Sequence, residues 1–194
     1  MLEEFRELQN LLFASNTYSM LVVIQGMDAS GKDGAIRDVF RSVNPQGVSV
    51  SSFKVPTEEE FAHDFLWRIH INAPRKGKIQ IFNRSHYEDV IVTRVHKWCD
   101  DDTARKRMKA INDFESLLEK HNRTIILKFY LHVSAEEQME RLKERIKDPA
   151  KMWKYNEKDF EDVLPENDGQ IGSSEQLFTS MLSEFSLATV EEKK

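Results

Sequence analysis

Residues 19–36 read SMLVVIQGMDASGKDGAI, an apolar run followed by a glycine-rich turn and a helical pattern. Within this stretch, Gly26, Gly31 and Lys32 have the G-x-x-x-x-G-K spacing of a phosphate-binding loop. In such a loop, backbone N–H groups and the positive end of the following helix bind an anion, and the lysine adds a point charge. The usual pattern continues with Ser or Thr, a magnesium ligand, whereas this chain has the carboxylate of Asp33.

The residues on either side of the loop support this interpretation. Residues 21–24 are continuously apolar, which is typical of a parallel strand buried on both faces. Ala35, Ile36 and Val39 recur with helical spacing. The alternative is a glycine-containing turn with a solvent-exposed lysine, but a loop between a strand and a helix is more specific than the motif alone. The residues expected to bind phosphate here, besides Lys32, are Gly26, Met27, Ala29, Ser30, Gly31, Asp33 and Gly34.

Composition limits the classes of protein to which the chain can belong. Its 194 residues fit about one domain. The net charge of −5 provides no overall basic field for nucleic acid, and no apolar stretch approaches the roughly 20 residues of a membrane span. Cys99 is the only cysteine, so no internal disulfide can form. The N-terminus lacks a signal-peptide profile. We therefore expect a cytoplasmic protein that binds neither nucleic acid nor a membrane.

Strands alternate with helices along the chain. This order predicts an α/β fold in which a mostly parallel sheet is covered by helices on both faces. Thr57 with Glu60, and Ser134 with Glu137, have the spacing of capping boxes and mark helix starts. The predicted helices span residues 2–15, 32–43, 57–71, 86–97, 102–121 and 134–147. The predicted strands span residues 20–25, 48–53, 78–83 and 123–133.

A second polar segment follows the third predicted strand. Residues 83–89 read NRSHYED and supply an arginine, two carboxylates, an amide, a histidine and a tyrosine within seven positions, more than a turn requires. In parallel sheets, ligands bind at the carboxyl ends of the strands. The loop after Gln25, Lys54 after the second strand and this segment should therefore meet at one edge of the sheet.

Long segments of the chain resemble a known family. GMDASGKDGAIRDVF (residues 26–40), IFNRSHYEDVIVTRVH (81–96) and KMWKYNEKDF (151–160) are similar to the polyphosphate kinase 2 family, with residues 83–89 closest in form to its class III branch. Two further segments, 43–70 and 126–149, carry the same resemblance over roughly residues 1–160. Members of that branch phosphorylate AMP and ADP with inorganic polyphosphate. The resemblance implies a P-loop kinase-like fold, a helical lid and reversible, magnesium-dependent phosphoryl transfer.

The resemblance also implies individual roles. Asp28 corresponds to the family's catalytic, magnesium-associated aspartate, although a turn-capping aspartate is the alternative. Lys32 would hold the phosphates near the transfer point, and Arg84 would steady the transferring group. These three residues form the expected catalytic set.

Asn83 stands where many members outside the branch carry Asp. Because an amide is a weaker ligand for magnesium than a carboxylate, Asp28 and either Glu88 or Asp89 would bind more of the ion in its place. We expect Asp28 and Glu88 to hold Mg²⁺, with Mn²⁺ as the alternative. Glu88 also occupies a position associated with accepting a nucleoside monophosphate. The expected nucleotide-binding residues are Asn83, His86, Tyr87 and Glu88.

Because polyphosphate is a polyanion and the net charge of the chain is −5, binding it requires a local basic channel. The candidates beside the expected site are Lys54, Arg75, Lys76, Lys78, Arg84, Arg94 and Lys97, of which the resemblance favours Lys54, Arg84 and Arg94; the alternative is ordinary surface cations. Residues 141–160 resemble the family's lid. Arg141 and Arg145 share one helix face and would close over phosphates. The alternative is a helix end whose cations match its negative pole.

We expect a phosphotransferase domain over residues 1–160, and a divergent tail over 161–194 made of a linker and one amphipathic helix, without the family's last strand. The expected partners are inorganic polyphosphate and adenine or guanine nucleotides, in a homo-oligomer, either a dimer or a tetramer. Two alternatives remain: an ATP-dependent nucleoside monophosphate kinase, which shares the loop and fold, and a catalytically impaired polyphosphate- or nucleotide-binding protein, which the tail suggests.

Overall fold

The computed structural model describes residues 2–95 and 97–147. These residues divide into two compact units. The first contains residues up to 26 and residues 31–131, and the second contains residues 27–30 together with the chain from 132. The expectations for residues 148–194, which concern the end of the lid, the linker and the last helix, lie outside the described residues.

A four-stranded parallel sheet organises the first unit. Strand β1 (Ser19–Gly26) is central and pairs on one side with β3 (Ile79–Asn83) and on the other with β4 (Thr124–Leu131). Strand β2 (Val48–Ser52) pairs with the far side of β3, which gives the order β2-β3-β1-β4. Residues 21–24 are at most 5% exposed, as a strand covered on both faces requires.

Seven α-helices and a 3₁₀ helix (Pro45–Gly47) accompany these strands among the described residues. None of them is both long and apolar enough to cross a membrane. The α-helices are α1 (Leu2–Ser15), α2 (Lys32–Phe40), α3 (Glu58–Phe61), α4 (Trp67–His70), α5 (Glu88–Val95), α6 (Asp101–Asn122) and, in the second unit, α7 (Ala135–Lys147).

Helices cover both faces of the sheet. Val22, Ile24, Ile79 and Ile81 form an apolar cluster on one face, and side chains of α1 and α2 pack against it. Because side chains alternate along a strand, Phe82 points to the opposite face. There its ring lies 6.1 Å from that of His86, which in turn lies 6.1 Å from the ring of Phe114 in α6. The predicted three-layer α/β arrangement is confirmed.

The single helix predicted over residues 57–71 is wrong. Its start is as expected, because Thr57 and Glu60 form a capping box with bonds of 2.7 and 3.2 Å. The helix ends after one turn, and α4 begins only at Trp67. Between them, the Asp64 carboxylate accepts the Leu66 N–H at 2.9 Å and the Asp64 carbonyl accepts the Trp67 N–H at 3.0 Å. An aspartate offers the backbone such non-helical partners, which explains the interruption.

Candidate active site

The glycine-rich loop begins where β1 ends. Gly31, the residue before α2, has a φ of +93°, a left-handed conformation that glycine adopts without steric cost. Lys32 begins α2 and is only 8% exposed, and its Nζ donates a hydrogen bond to the Gly26 carbonyl at 2.7 Å. The ammonium group of the motif therefore lies against the carboxyl end of the central strand, the edge predicted for the site.

Asp33 and Asn83 lie together in the first unit. Asn83 Nδ2 donates to Asp33 Oδ1 at 2.7 Å, which joins the first turn of α2 to the end of β3. A carboxylate in the first turn also suits the positive end of the helix. Asp33, at the position of the usual hydroxyl residue, thus connects the two segments that the sequence singled out.

Arg84 has an uncommon backbone conformation. Its φ is +62°, in the left-handed region, where a residue with a side chain costs roughly 1–3 kcal/mol unless the surroundings hold it. The Arg84 N–H donates to the Ile24 carbonyl at 3.1 Å, so the residue is tied to β1 just beyond its own strand. The half-buried Arg84 therefore leaves β3 in a direction fixed by its neighbours.

Two residues of the second polar segment are buried in a cluster of charges. His86 and Tyr87 are 0% and 1% exposed. Glu115 of α6 accepts hydrogen bonds from His86 Nε2 at 3.1 Å and from the Tyr87 hydroxyl at 2.9 Å. Lys128 of β4 donates to the Tyr87 hydroxyl at 3.0 Å and binds the other oxygen of Glu115. The sequence analysis missed Glu115 and Lys128, because neither belongs to a local motif.

These contacts control the ionisation of the cluster. Burial raises the pKa of Glu115, but the opposing effects of His86 and then Lys128 are larger together, so its pKa lies below the ordinary value. Burial first, and then the charge and hydrogen bond of Glu115, raise the pKa of Tyr87. The phenol therefore keeps its proton and remains a donor to Glu115. A direct contact of His86 or Tyr87 with a nucleotide stays a prediction, and their burial favours a supporting role.

Glu88 begins α5 and is held by a residue that the sequence analysis did not select. Gln25, buried at the end of β1, donates from Nε2 to Glu88 Oε1 at 3.0 Å. The Gln25 Oε1 atom is buried and has no hydrogen-bond partner among the described residues. Glu88 thus lies beside the end of the central strand, as its predicted role requires.

Asp89 takes part in a structural ion pair. Its carboxylate lies 3.2 Å from Arg68 Nη2, and Arg68 Nη1 donates to the Lys54 carbonyl at 2.7 Å. Burial raises the pKa of Asp89 by more than the nearby Arg68 lowers it. Arg68, which is 5% exposed, therefore joins α4 to α5 and to the end of β2. This arrangement anchors the backbone of Lys54 and leaves its side chain exposed.

The cations proposed for polyphosphate do not share one edge. Lys54 follows β2, at the carboxyl edge of the sheet. Arg94, on α5, donates from Nε to Asp101 at 2.8 Å. Residues 75–78, in contrast, precede β3, and the Lys78 carbonyl accepts the Met20 N–H at the start of β1.

The expectation that Arg75, Lys76 and Lys78 lie beside the site is therefore wrong. In a parallel sheet, the residues that enter a strand lie at the opposite edge from those that leave it. At about 3.3 Å per residue, the five residues of β3 separate the two edges by more than about 10 Å.

The second unit contains the middle of the glycine-rich loop. The Ser30 N–H donates to the Met27 carbonyl at 3.2 Å, and Ala29 has a left-handed φ of +57°. Arg141 of α7 donates from Nη1 to the Ala29 carbonyl at 3.2 Å and from Nε to Glu137 at 2.7 Å. An arginine of the predicted lid thus binds the loop.

Three other predicted features belong to the second unit. Asp28 and Arg145 are half-buried. The Glu137 N–H donates to Ser134 Oγ at 3.2 Å, as predicted for the start of α7. The action of α7 as a lid stays a prediction.

Two of the residues predicted to bind magnesium have oxygen donors of the required type. Within residues 2–95 and 97–147, no three His, Cys, Asp or Glu side chains form a metal-binding group. Mg²⁺ is commonly held by one or two carboxylates, with water and substrate phosphates completing its shell. Glu88 in the first unit and Asp28 in the second have carboxylates of the required type. Each of these side chains, taken by itself, is therefore an oxygen donor of the type that Mg²⁺ binds.

A parallel sheet, a G-x-x-x-x-G-K loop before α2 and polar groups at the carboxyl ends of the strands together define an α/β protein of the P-loop kinase-like class. Comparison with known sequences makes the assignment narrower. The chain belongs to the polyphosphate kinase 2 (PPK2) family, whose profile matches residues 1–169. The match continues past residue 160, where the resemblance was expected to end.

Similar proteins carry related names. The AMP/ADP-polyphosphate phosphotransferase of Meiothermus ruber is 53% identical over 156 residues, which are 80% of this chain and 58% of that protein. The ADP-polyphosphate phosphotransferase of Rhodopseudomonas palustris is 43% identical over 172 residues, 82% of this chain and 59% of that protein. The crystal structure of polyphosphate kinase 2 from Arthrobacter aurescens TC1 is 43% identical, with a TM-score of 0.80 over 84% of this chain and 58% of that chain. This chain thus spans less than 60% of each of these proteins.

Proposed function

We propose that this chain transfers a phosphoryl group reversibly between inorganic polyphosphate and AMP or ADP, forming ADP and ATP. The observation that carries the proposal is the buried Lys32, whose ammonium group lies at the end of β1 in a member of the polyphosphate kinase 2 family. The names of the two similar phosphotransferases support polyphosphate and adenine nucleotides as the substrates.

Phosphoryl transfer requires in-line placement and positive charge where negative charge accumulates. Lys32 would exchange the Gly26 carbonyl for a phosphate oxygen, and the N–H groups of the loop would bind the same anion. Arg84 would stabilise the transferring group, and its constrained backbone supports such a fixed role. The acceptor phosphate is already largely ionised at neutral pH, so a strong general base is not required.

The remaining roles concern the metal and the two substrates. Asp28 and Glu88 would hold Mg²⁺, with Mn²⁺ as the alternative; when bound, the ion offsets charge on the phosphate oxygens. Asn83 and Glu88 would contact the nucleotide, which is adenine- or guanine-based. Lys54, Arg94, Arg141 and Arg145 would bind polyphosphate. A homo-oligomer and a cytoplasmic location also stay predictions.

The test is turnover by the purified chain with AMP, magnesium and polyphosphate in the absence of ATP. We expect ADP to form first and ATP to follow, and Lys32→Ala to abolish both. If ADP forms only when ATP replaces polyphosphate as donor, the protein is a nucleoside monophosphate kinase and the proposal fails.

A second candidate function is binding without transfer. It is suggested by the divergent sequence of the tail, since the family profile matches residues 1–169 of the 194. Calorimetry with polyphosphate and with AMP, on the same preparation, distinguishes it: binding in the absence of product would support this candidate.

A further inference from the structure

We propose that Glu115 is a positioning residue that acts through His86 and Tyr87 on Arg84 and Glu88. The proposal rests on the proposed function, because it concerns the same site. Glu115 lies on α6, outside every motif that the sequence analysis selected. Its role is to hold the segment between β3 and α5 in one conformation.

Arg84 needs support on both sides, because its left-handed φ of +62° is strained for a residue with a side chain. Before it, Asn83 is bound to Asp33 at 2.7 Å, and the Arg84 N–H is bound to Ile24 at 3.1 Å. After it, Ser85 and His86 are 0% exposed. The chain is therefore held immediately downstream as well, and the groups that hold it there determine whether the strain persists.

The downstream support converges on one carboxylate. Glu115 Oε1 accepts from His86 Nε2 at 3.1 Å and from the Tyr87 hydroxyl at 2.9 Å. The other ring nitrogen of His86, Nδ1, is buried and has no partner among the described residues. Within residues 2–95 and 97–147, Glu115 is therefore the hydrogen-bond partner that holds this imidazole.

The same support reaches Glu88. The Glu88 N–H donates to the Ser85 carbonyl at 3.0 Å, and the Ile91 N–H donates to the Tyr87 carbonyl at 2.8 Å. These bonds form the first turn of α5, so the position of Tyr87 sets where that helix begins. A shift of Tyr87 would move Glu88 away from Gln25, its 3.0 Å partner at the end of β1.

Stability alone is a weak reason for such a cluster. A buried ion pair often adds no more stability than apolar side chains of the same volume. What the cluster adds is a fixed orientation of the His86 and Tyr87 rings, because hydrogen bonds are directional and apolar contacts are much less so. Lys128 supplies the compensating charge at Oε2, which keeps Glu115 ionised and able to accept both bonds.

The first test does not depend on turnover. Amide hydrogen exchange is measured at Arg84 and Glu88 in the wild type, in Glu115→Gln and in Leu118→Ala. Leu118 is buried on the same helix and has no part in the cluster, so its truncation supplies a matched loss of stability. We expect Glu115→Gln to speed exchange at both amides by more than Leu118→Ala does. Equal acceleration in the two variants would overturn the proposal.

The second test separates positioning from folding. In Glu115→Gln we expect kcat to fall about 10- to 100-fold and KM for AMP to rise, because small misplacements of reacting groups cost this much. KM for polyphosphate should stay unchanged, since Lys32 is held independently at Gly26. In an Arg84→Ala background the same substitution should lower kcat much less, because residues that act in series are not additive. Fully multiplicative losses would contradict the mechanism.

The positioning role of Glu115 and the proposed function can fail separately. If Glu115→Gln speeds exchange as expected but the wild-type chain never turns over polyphosphate, the proposed function alone is refuted.

If Glu115→Gln does not fold, Tyr87→Phe serves instead, because it keeps the ring and removes a single donor to Glu115. It should speed exchange at Glu88, and unchanged exchange there would reject the role of Glu115.

Discussion

The amide group of Asn83 donates a 2.7 Å hydrogen bond to the carboxylate of Asp33, which connects the end of β3 to the first turn of α2. Asp33 stands where the usual loop has a hydroxyl residue, and Asn83 stands where the family resemblance implies a carboxylate in many members outside the class III branch. The two departures are complementary, because the side-chain amide of asparagine donates a hydrogen bond that a carboxylate accepts.

This pairing predicts that Asn83→Asp destabilises the protein. Two carboxylates would then face each other, and repulsion would raise the pKa of at least one of them. A carboxyl group whose pKa is higher in the folded than in the unfolded state destabilises the fold at pH values above its folded pKa. The loss of stability should therefore appear at neutral pH and vanish as pH falls below about 4. Since Asp33 is exposed, we expect the free energy of unfolding to fall by about 0.5–1 kcal/mol at neutral pH. Denaturant unfolding at neutral pH and below about pH 4 would measure it. The swapped double variant Asp33→Asn/Asn83→Asp should recover the loss.

Lys32→Met should strongly reduce activity while leaving the fold intact. The substitution keeps the buried stem and deletes the ammonium group that binds the Gly26 carbonyl. Loss of one preorganised charge in such a site costs about 10²- to 10³-fold in kcat. Initial rates with AMP and polyphosphate would measure it. Lys109→Met, on the exposed face of α6, is the control, and an equal loss there would contradict a specific role for Lys32.

Gly34→Ala should raise stability and weaken substrate binding. A Cβ at Gly34 meets no atom within 4 Å, so alanine relieves the entropic cost of a helical glycine, about 0.5–1 kcal/mol. If polyphosphate approaches the backbone of α2, the added methyl group occupies its path, and KM for polyphosphate rises. Thermal unfolding and steady-state kinetics give the two values. A more stable variant with unchanged KM would remove Gly34 from the phosphate-binding set.

Lys54→Ala should raise KM for polyphosphate, whereas Arg75→Ala/Lys76→Ala should not. All three cations are exposed, but Lys54 lies at the carboxyl edge of the sheet and the other two at the amino edge. In the wild type, KM should also rise with salt, because screening weakens contacts of exposed charges. Kinetics at low and high ionic strength would show both effects. A larger change in the amino-edge variant would place the polyphosphate path elsewhere.

Acid should diminish the contribution of Glu115 to stability. Its folded pKa lies below the ordinary value of about 4.3, so its contribution is present above that value and is lost as pH falls through the folded pKa. Removing one partner of a buried pair costs about 3–5 kcal/mol at neutral pH. The difference in unfolding free energy between the wild type and Glu115→Gln should therefore shrink as pH falls below 4. A difference that stays constant with pH would show that Glu115 contributes through shape rather than charge.

Local patterns predicted much of the architecture. The apolar run of residues 21–24 became the central strand, and the capping pair Thr57 and Glu60 started a helix where expected. The prediction failed where a single side chain redirected the backbone, as Asp64 did between α3 and α4. Helical periodicity is a property of several residues and does not reveal such a local alternative.

The residues that the sequence analysis missed have partners distant in the chain. Glu115 is 29 positions from His86, and Gln25 is 63 positions from Glu88. No spacing rule links such pairs. The misplaced Arg75 and Lys76 show the same limit, because their distance along the chain from Arg84 says nothing about which edge of the sheet they occupy.

The order of residues 19–36 by itself determined that a strand, a glycine-rich turn and a helix follow one another, because each depends on interactions between neighbours in the chain. Only the tertiary structure decided how Arg84 and Glu88 are held. Their support comes from α6, β1 and β4, and burial makes those distant hydrogen bonds obligatory, since a buried polar group without a partner is costly.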